Sequence, residues 1–136
     1  MRIMVLPGTI WQVPIIEKIK SLGHTLYLTN PKKVCGVYEL ADYFLETDIF
    51  NFDTVSKYLV ENKIDLVISD ECDIAMDAIA KYNEIIGANF IPFEIAQLFS
   101  DKYKMRVFCK ENNFCPIPFA LCSNKEDALS FFKQKS

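Results

Sequence analysis

The chain has 136 residues, enough for one domain with its own core and the opening of a second. With 51% hydrophobic and 24% charged residues the composition is ordinary for a globular protein, and a net charge of −3 gives no electrostatic reason to expect nucleic acid or an anionic membrane as a partner. No apolar run approaches the roughly 20 residues of a spanning helix and the N-terminus lacks a signal-peptide pattern, so the 5 cysteines, never spaced Cys-x-x-Cys, read as reduced, mostly buried thiols of a cytoplasmic protein rather than zinc ligands.

Residues 2–6 are a short apolar run ending at Pro7-Gly8, the pattern of a buried strand entering a turn. Over 11–22, Ile15, Ile16, Ile19 and Leu22 keep helical spacing, and Gly23 supplies the stop. Residues 25–29 read as a second strand halted by Asn30-Pro31, and 43–46 as a short third. Asn51 or Asp53 caps a helix carrying Val55, Tyr58 and Leu59, and 65–69 is a fourth strand. Asp73 is expected to cap the clearest helix, whose stripe of Ile74, Ala75, Ala78, Ile79, Tyr82, Ile85 and Ile86 ends at Gly87. Residues 88–91 read as a fifth strand, and Pro92 opens a short helix through Phe99.

Strands that alternate with helices, and that read as continuous apolar runs, imply a parallel sheet covered on both faces. The fold expected for residues 1–99 is therefore α/β: a doubly wound, mostly parallel, Rossmann-like sheet of five strands. Residues 100–136 begin a different α/β layout. Ser100 is placed to cap a helix over 101–112 with Asp101 complementing its dipole, 116–122 reads as a strand, and Ser123 to Glu126 forms a capping box. The box opens a helix whose apolar face of Ala128, Leu129 and Phe132 needs a partner that the following residues do not supply.

Three features carry possible chemistry. The loop after the first strand, Pro7-Gly8-Thr9, lies where open α/β sheets bind ligands, but one glycine is not a dinucleotide fingerprint, and Thr29-Asn30 stands where that fingerprint needs an acid. A tight turn or a small-anion contact both remain open for it. Asp70 and Glu71, with Asp73 and Asp77 beyond, could bind a metal or orient an amine at the end of the fourth strand; a capped, solvated loop is the simpler reading. A phospho-receiver is excluded because the first strand ends without acids, and a hydrolase triad is unsupported by a single histidine, His24, in a turn. Lys102 and Arg106, four apart on one helical face, have the charge and spacing to hold a polyphosphate or to line a solvated surface.

The run Asp101-Lys102-x-x-Met105-Arg106-x-Phe108-x-Lys110-Glu111-Asn112, followed by Pro116-x-Pro118, resembles the signature that opens the ATP-grasp domain of ATP-dependent carboxylate–amine ligases. That family includes carbamoyl-phosphate synthase, biotin carboxylase and purine-pathway ligases. Upstream, Trp11-Gln12-Val13-Pro14, Leu22-Gly23-His24, Ala41-Asp42 and residues 64–70 resemble the preceding preATP-grasp domain. The resemblance implies phosphorylation of a carboxylate by ATP with Mg2+, and attack on the acylphosphate by an amine. It implies nucleotide contacts for Lys102 and Arg106, and substrate contacts for Pro7, Gly8 and Thr9 with Asp70 and Glu71 across the cleft.

Family members often carry two or three glycines where this chain has Pro7-Gly8-Thr9. Their glycine-rich flap and magnesium ligands are expected beyond residue 136, which leaves no residue here catalytic. Two readings follow: the N-terminal portion of such a ligase, incomplete and inactive alone, completed by the remainder of the ATP-grasp domain; or a stand-alone preATP-grasp module that binds small molecules or proteins. A homo-oligomer is compatible with either.

Overall fold

The structure is a computed structural model that describes residues 1–135. The chain divides into two compact units, Met1–Ala96 and a second beginning at Gln97.

The first unit is built on a four-stranded sheet in the order β3-β2-β1-β4. Its strands are β1 (Arg2–Val5), β2 (Thr25–Asn30), β3 (Tyr43–Glu46) and β4 (Leu66–Ile68), and every pairing is parallel. The helices are α1 (Val13–Ser21), α2 (Phe52–Glu61) and α3 (Met76–Ile86), with α4 (Phe93–Ser100) running across the division between the units. Alternation along the strands explains why they read as unbroken apolar runs. Ile3, Val5, Leu26 and Leu28 face one core with Ile16 and Ile19 of α1, whereas Met4, Leu6, Tyr27 and Val67 face the other with Val55 and Leu59 of α2 and Ile79 and Tyr82 of α3. Tyr82 donates its hydroxyl to the Ile49 carbonyl at 2.6 Å, and burial pushes that phenol well above its ordinary range. Lys81 anchors the start of α4: its ammonium lies 4.4 Å from the Phe93 ring centre and 5.1 Å from that of Phe52.

The helix ends follow local chemistry. Asn51 caps α2 by accepting from the Thr54 N–H, and Gly87 closes α3 in the left-handed region at φ 68°. Asp73 is not the cap of α3; it opens a 3-10 turn, Asp73–Ala75, that feeds the helix, and the N-cap position falls on Ala75. The buried stripe of α3 also differs from expectation. Ile74 and Ile85 are exposed, while Asn83 is 1% exposed.

Asn83 accounts for the sheet having four strands rather than five. Ile68 turns its carbonyl to β1, where it accepts from the Leu6 N–H, so Val67 one residue earlier directs its own N–H and carbonyl to the outer edge. The Asn83 carboxamide meets both, accepting from the Val67 N–H at 2.9 Å and donating to the Val67 carbonyl at 2.7 Å. A side chain thus fills the hydrogen-bonding place of a fifth strand, and residues 88–92 run without regular structure.

At the opposite edge Asp42 completes the ladder. Its carboxylate accepts from the Leu26 N–H at 2.8 Å and from the Lys20 ammonium at 3.0 Å. The Leu26 bond is the main reason its carboxyl is held below the ordinary range, with Lys20 adding to it against the effect of burial.

The second unit contains the end of α4, α5 (Lys102–Glu111) and α6 (Lys125–Lys135). Asp101, not Ser100, caps α5, accepting from the N–H groups of Tyr103 and Lys104; Ser100 is the last residue of α4. The capping box of α6 is shifted by one residue: Asn124 accepts from the Asp127 N–H, and Asp127 reaches back to the Ser123 N–H. Residues 116–122 form no strand, since a strand exists only by pairing and no partner lies among the described residues. On α6, Leu129 and Phe132 are exposed, and Phe131 is the aromatic that turns inward. Cys35, Cys115 and Cys122 are exposed because they lie in loops, contrary to the expected burial; Cys72 and Cys109 are half-buried. Among the described residues no helix is long and apolar enough to cross a membrane.

Two stability tests follow. Asn83→Ala leaves both Val67 groups buried without partners and is expected to cost about 2–4 kcal/mol in urea denaturation. Because the folded Asp42 carboxyl is depressed, its contribution is present at neutral pH and is lost as pH falls below about 4. Asp42→Asn should therefore lower stability modestly at neutral pH, since the pair is partly solvated, and flatten the stability-versus-pH curve below about pH 4.

Candidate functional site

The strand order turns at β1: β2 and β3 lie to one side and β4 to the other. In an open α/β sheet this switch point opens a crevice beyond the carboxyl ends of the strands. The loop after β1 and the loop after β4 leave the sheet side by side at this point and would be the two walls of such a crevice. Pro7, Gly8 and Thr9 stand on the first, Asp70 and Glu71 on the second.

The β1 loop is held tightly against β2. Gly8 is buried, and its N–H donates to the Thr29 carbonyl at 2.8 Å. A Cβ at this position would lie 3.3 Å from the Leu28 Cβ, so any larger residue would crowd β2 and push it back by a few tenths of an ångström. Thr9 N–H is directed at the Gln12 side-chain oxygen, 3.3 Å away. Since proline has no N–H, the Gly8 and Thr9 N–H groups and Pro7 offer no backbone donor to a bound anion in this conformation.

The structure joins the two walls through Gln12, a member of the run Trp11-Gln12-Val13-Pro14 that the sequence gives no site role. Gln12 ends the 3-10 turn Ile10–Gln12 and is 1% exposed. Its oxygen accepts from the Thr9 N–H and hydroxyl, and its nitrogen donates to the Asp70 carbonyl. The available signal was its place in the run Trp11-Gln12-Val13-Pro14, just ahead of the apolar positions of α1. Asp70 and Glu71 are exposed on the other wall, with Glu71 in the left-handed region at φ 52°, a conformation that a non-glycine residue adopts at some cost. His24 is half-buried, its Nδ1 3.4 Å from the amino group of Met1 and away from these loops in sequence.

In the second unit, Lys102 and Arg106 come together. Both line a cavity of about 280 Å³ whose other walls are Tyr103, Phe119, Ala120 and Leu121. One turn of α5 separates the two cations, and the Asp101 cap fixes where that turn starts. Tyr103 stands edge-on to Phe119 with ring centres 5.7 Å apart, which seats the 116–122 segment against the helix. An adjoining cavity of about 400 Å³ is lined by Tyr103, Lys110, the 117–121 segment and Phe131. Among the described residues no group of three His, Cys, Asp or Glu side chains is arranged to hold a metal ion.

No protein-family model matches the chain, and no curated protein sequence does. Solved structures do. Phosphoribosylglycinamide synthetase from Anaerococcus prevotii superposes with a TM-score of 0.79 at 22% identity, over 98% of this chain and 34% of its own. N5-carboxyaminoimidazole ribonucleotide synthetase from Thermotoga maritima gives 0.73 at 18% identity, over 96% of this chain and 36% of its own. The biotin carboxylase domain of 2-oxoglutarate carboxylase from Hydrogenobacter thermophilus, solved with MgADP, ADP and bicarbonate, gives 0.74 at 16% identity over 98% of this chain and 32% of its own.

The chain thus spans about a third of the length of these proteins. Gly8→Ala, which forces a Cβ against β2, is expected to cost about 1–2 kcal/mol in thermal or urea unfolding. The matched structures are ATP-grasp ligases, and the chain has the α/β fold with which their preATP-grasp part is built.

Proposed function

We propose that this chain is the N-terminal portion of an ATP-dependent carboxylate–amine ligase that works through an acylphosphate. In this reading residues 1–99 are the preATP-grasp domain and 100–136 open the ATP-grasp domain. The observation that carries it is the cavity gathering Lys102 and Arg106 against an apolar wall of Phe119, Ala120 and Leu121. An ammonium and a guanidinium on one helical turn suit the phosphates of a nucleotide. When bound, ATP supplies the phosphoryl group that activates the carboxylate. Lys102 and Arg106 bind and orient its phosphates and neutralise their charge.

The described residues supply no set of ligands for Mg2+, so no role for the metal is assigned to this chain. Of the small-molecule carboxylate and amine substrates, the donor-bearing amine is the one that suits the β1 and β4 loops, touched by Thr9 and Asp70. Exposed Phe114, Ile117, Leu121 and Phe132 fit a surface that the remainder of an ATP-grasp domain covers.

The 136 residues alone should bind Mg-ATP weakly in calorimetric titration, and sub-micromolar affinity would count against an incomplete nucleotide site. In a protein extended by the downstream reading frame, ADP release should depend on a carboxylate and an amine. Lys102→Ala should lower kcat/KM for ATP about ten- to hundredfold, the worth of one charge-assisted phosphate contact. An in-frame stop after Ser136 in the native gene, or an extended protein with no ATP turnover, would favour a stand-alone binding module.

A further inference from the structure

We propose that Gln12 is a positioning residue that clamps the β1 loop to the β4 loop and so sets the width of the crevice at the switch point. The consequence for substrate rests on the ligase reading above; the clamp does not.

Gln12 and Asp70 are 58 positions apart in sequence, yet the Gln12 nitrogen donates to the Asp70 carbonyl. The same carboxamide accepts from the Thr9 N–H and hydroxyl. Its orientation is fixed by its partners: a peptide carbonyl only accepts and a peptide N–H only donates, so the nitrogen must face Asp70 and the oxygen Thr9. β1 and β4 already pair through Ile3 to Val5, so the clamp lies directly beyond the last rung between them. The β1 loop is also tied sideways to β2 through the Gly8 N–H. Releasing Gln12 therefore frees the β4 wall relative to a β1 wall that keeps one anchor.

Simple space-filling does not explain the residue. A carboxamide that is 1% exposed is costly unless its polar atoms are bonded, and leucine or methionine would fill the same volume without that demand. The clamp also determines what Thr9 shows to a ligand. With its hydrogen given to Gln12, the hydroxyl presents only lone pairs, and a substrate group meeting it must be a donor.

Hydrogen exchange on the intact chain separates the clamp from a packing role. Gln12→Met removes both halves of the clamp; Gln12→Glu keeps an acceptor for Thr9 and removes the donor to Asp70. In Gln12→Met the amide of Thr9 and that of Ala75, which donates to the Cys72 carbonyl on the β4 loop, should exchange about tenfold faster together, while amides of β2 and β3 keep their protection. In Gln12→Glu only Ala75 should speed up. Uniformly faster exchange across all four strands, or identical patterns in the two variants, would overturn the proposal.

In the extended ligase, Gln12→Glu should raise KM for the substrate in the crevice about tenfold, with kcat and the KM for ATP unchanged. An unchanged substrate KM alongside the exchange asymmetry would remove Gln12 from substrate positioning while leaving the ligase reading in place. A wild-type extended protein without ligase activity would end the ligase reading, with the exchange asymmetry still deciding the clamp.

Discussion

β1 is paired on both edges and covered on both faces, and the first unit is arranged around that double constraint. A strand of four residues with Ile3, Met4 and Val5 all buried needs a helix layer on each side and a parallel neighbour at each edge. α1 supplies one layer on the way to β2. α2 and α3 supply the other on either side of β4 in the sequence. Placing β2 and β4 on opposite edges of β1 turns the strand order there, and the turn opens the crevice. Burial of one short apolar run thus locates the candidate substrate site before any polar residue is considered.

Two buried carboxamides then determine how that sheet is finished. Asn83 ends it laterally by bonding both backbone groups of Val67, and Gln12 ends it axially by tying the loop after β1 to the loop after β4. Each replaces backbone pairing with a side-chain amide, which offers the same donor and acceptor without a strand. This explains how an edge as short as β4 closes without exposing unpaired groups at Val67. The cost of such residues is specificity of placement, since a carboxamide in the wrong register leaves polar atoms buried without partners.

The strands, the helices and the α/β class were legible because period 2 and period 3.6 are written in residues such as Ile16, Ile19, Val55 and Leu59, whose burial is their only role. What was not legible turned on partners distant in sequence. Asn83 sits four residues after Ile79 and three before Ile86, on the buried stripe of α3, but nothing local shows that it faces Val67. The 88–91 segment has the composition of a strand and lacks a free edge to join; 116–122 has it too and lacks a partner. Gln12 stood in the family-like run Trp11-Gln12-Val13-Pro14 with nothing local to show its partner. Its significance depends on Asp70, which the fold alone brings into reach. Caps moved by one residue, from Ser100 to Asp101 and from Ser123 to Asn124, because neighbouring residues compete for one geometric position.

The β1 loop illustrates how sequence resemblance and geometry diverge at a candidate ligand site. A glycine-rich loop leading into a helix offers a row of N–H donors that suits a phosphate. Here Pro7 has no donor, Gly8 gives its own to Thr29, and Thr9 gives its own to Gln12. The same Gly8 that in a richer loop would let a ligand approach the backbone instead lets β2 approach it, with Leu28 and Thr29 in the space a side chain would need. In the proposed ligase, recognition on this wall would therefore pass from backbone to side chains. The Thr9 hydroxyl, its hydrogen committed to Gln12, is an acceptor; across the crevice the exposed carboxylates of Asp70 and Glu71 are acceptors when ionised. A wall built from acceptors would discriminate by hydrogen-bond polarity, and in the proposed reading it would suit donor-bearing groups where a glycine-rich loop suits an anion.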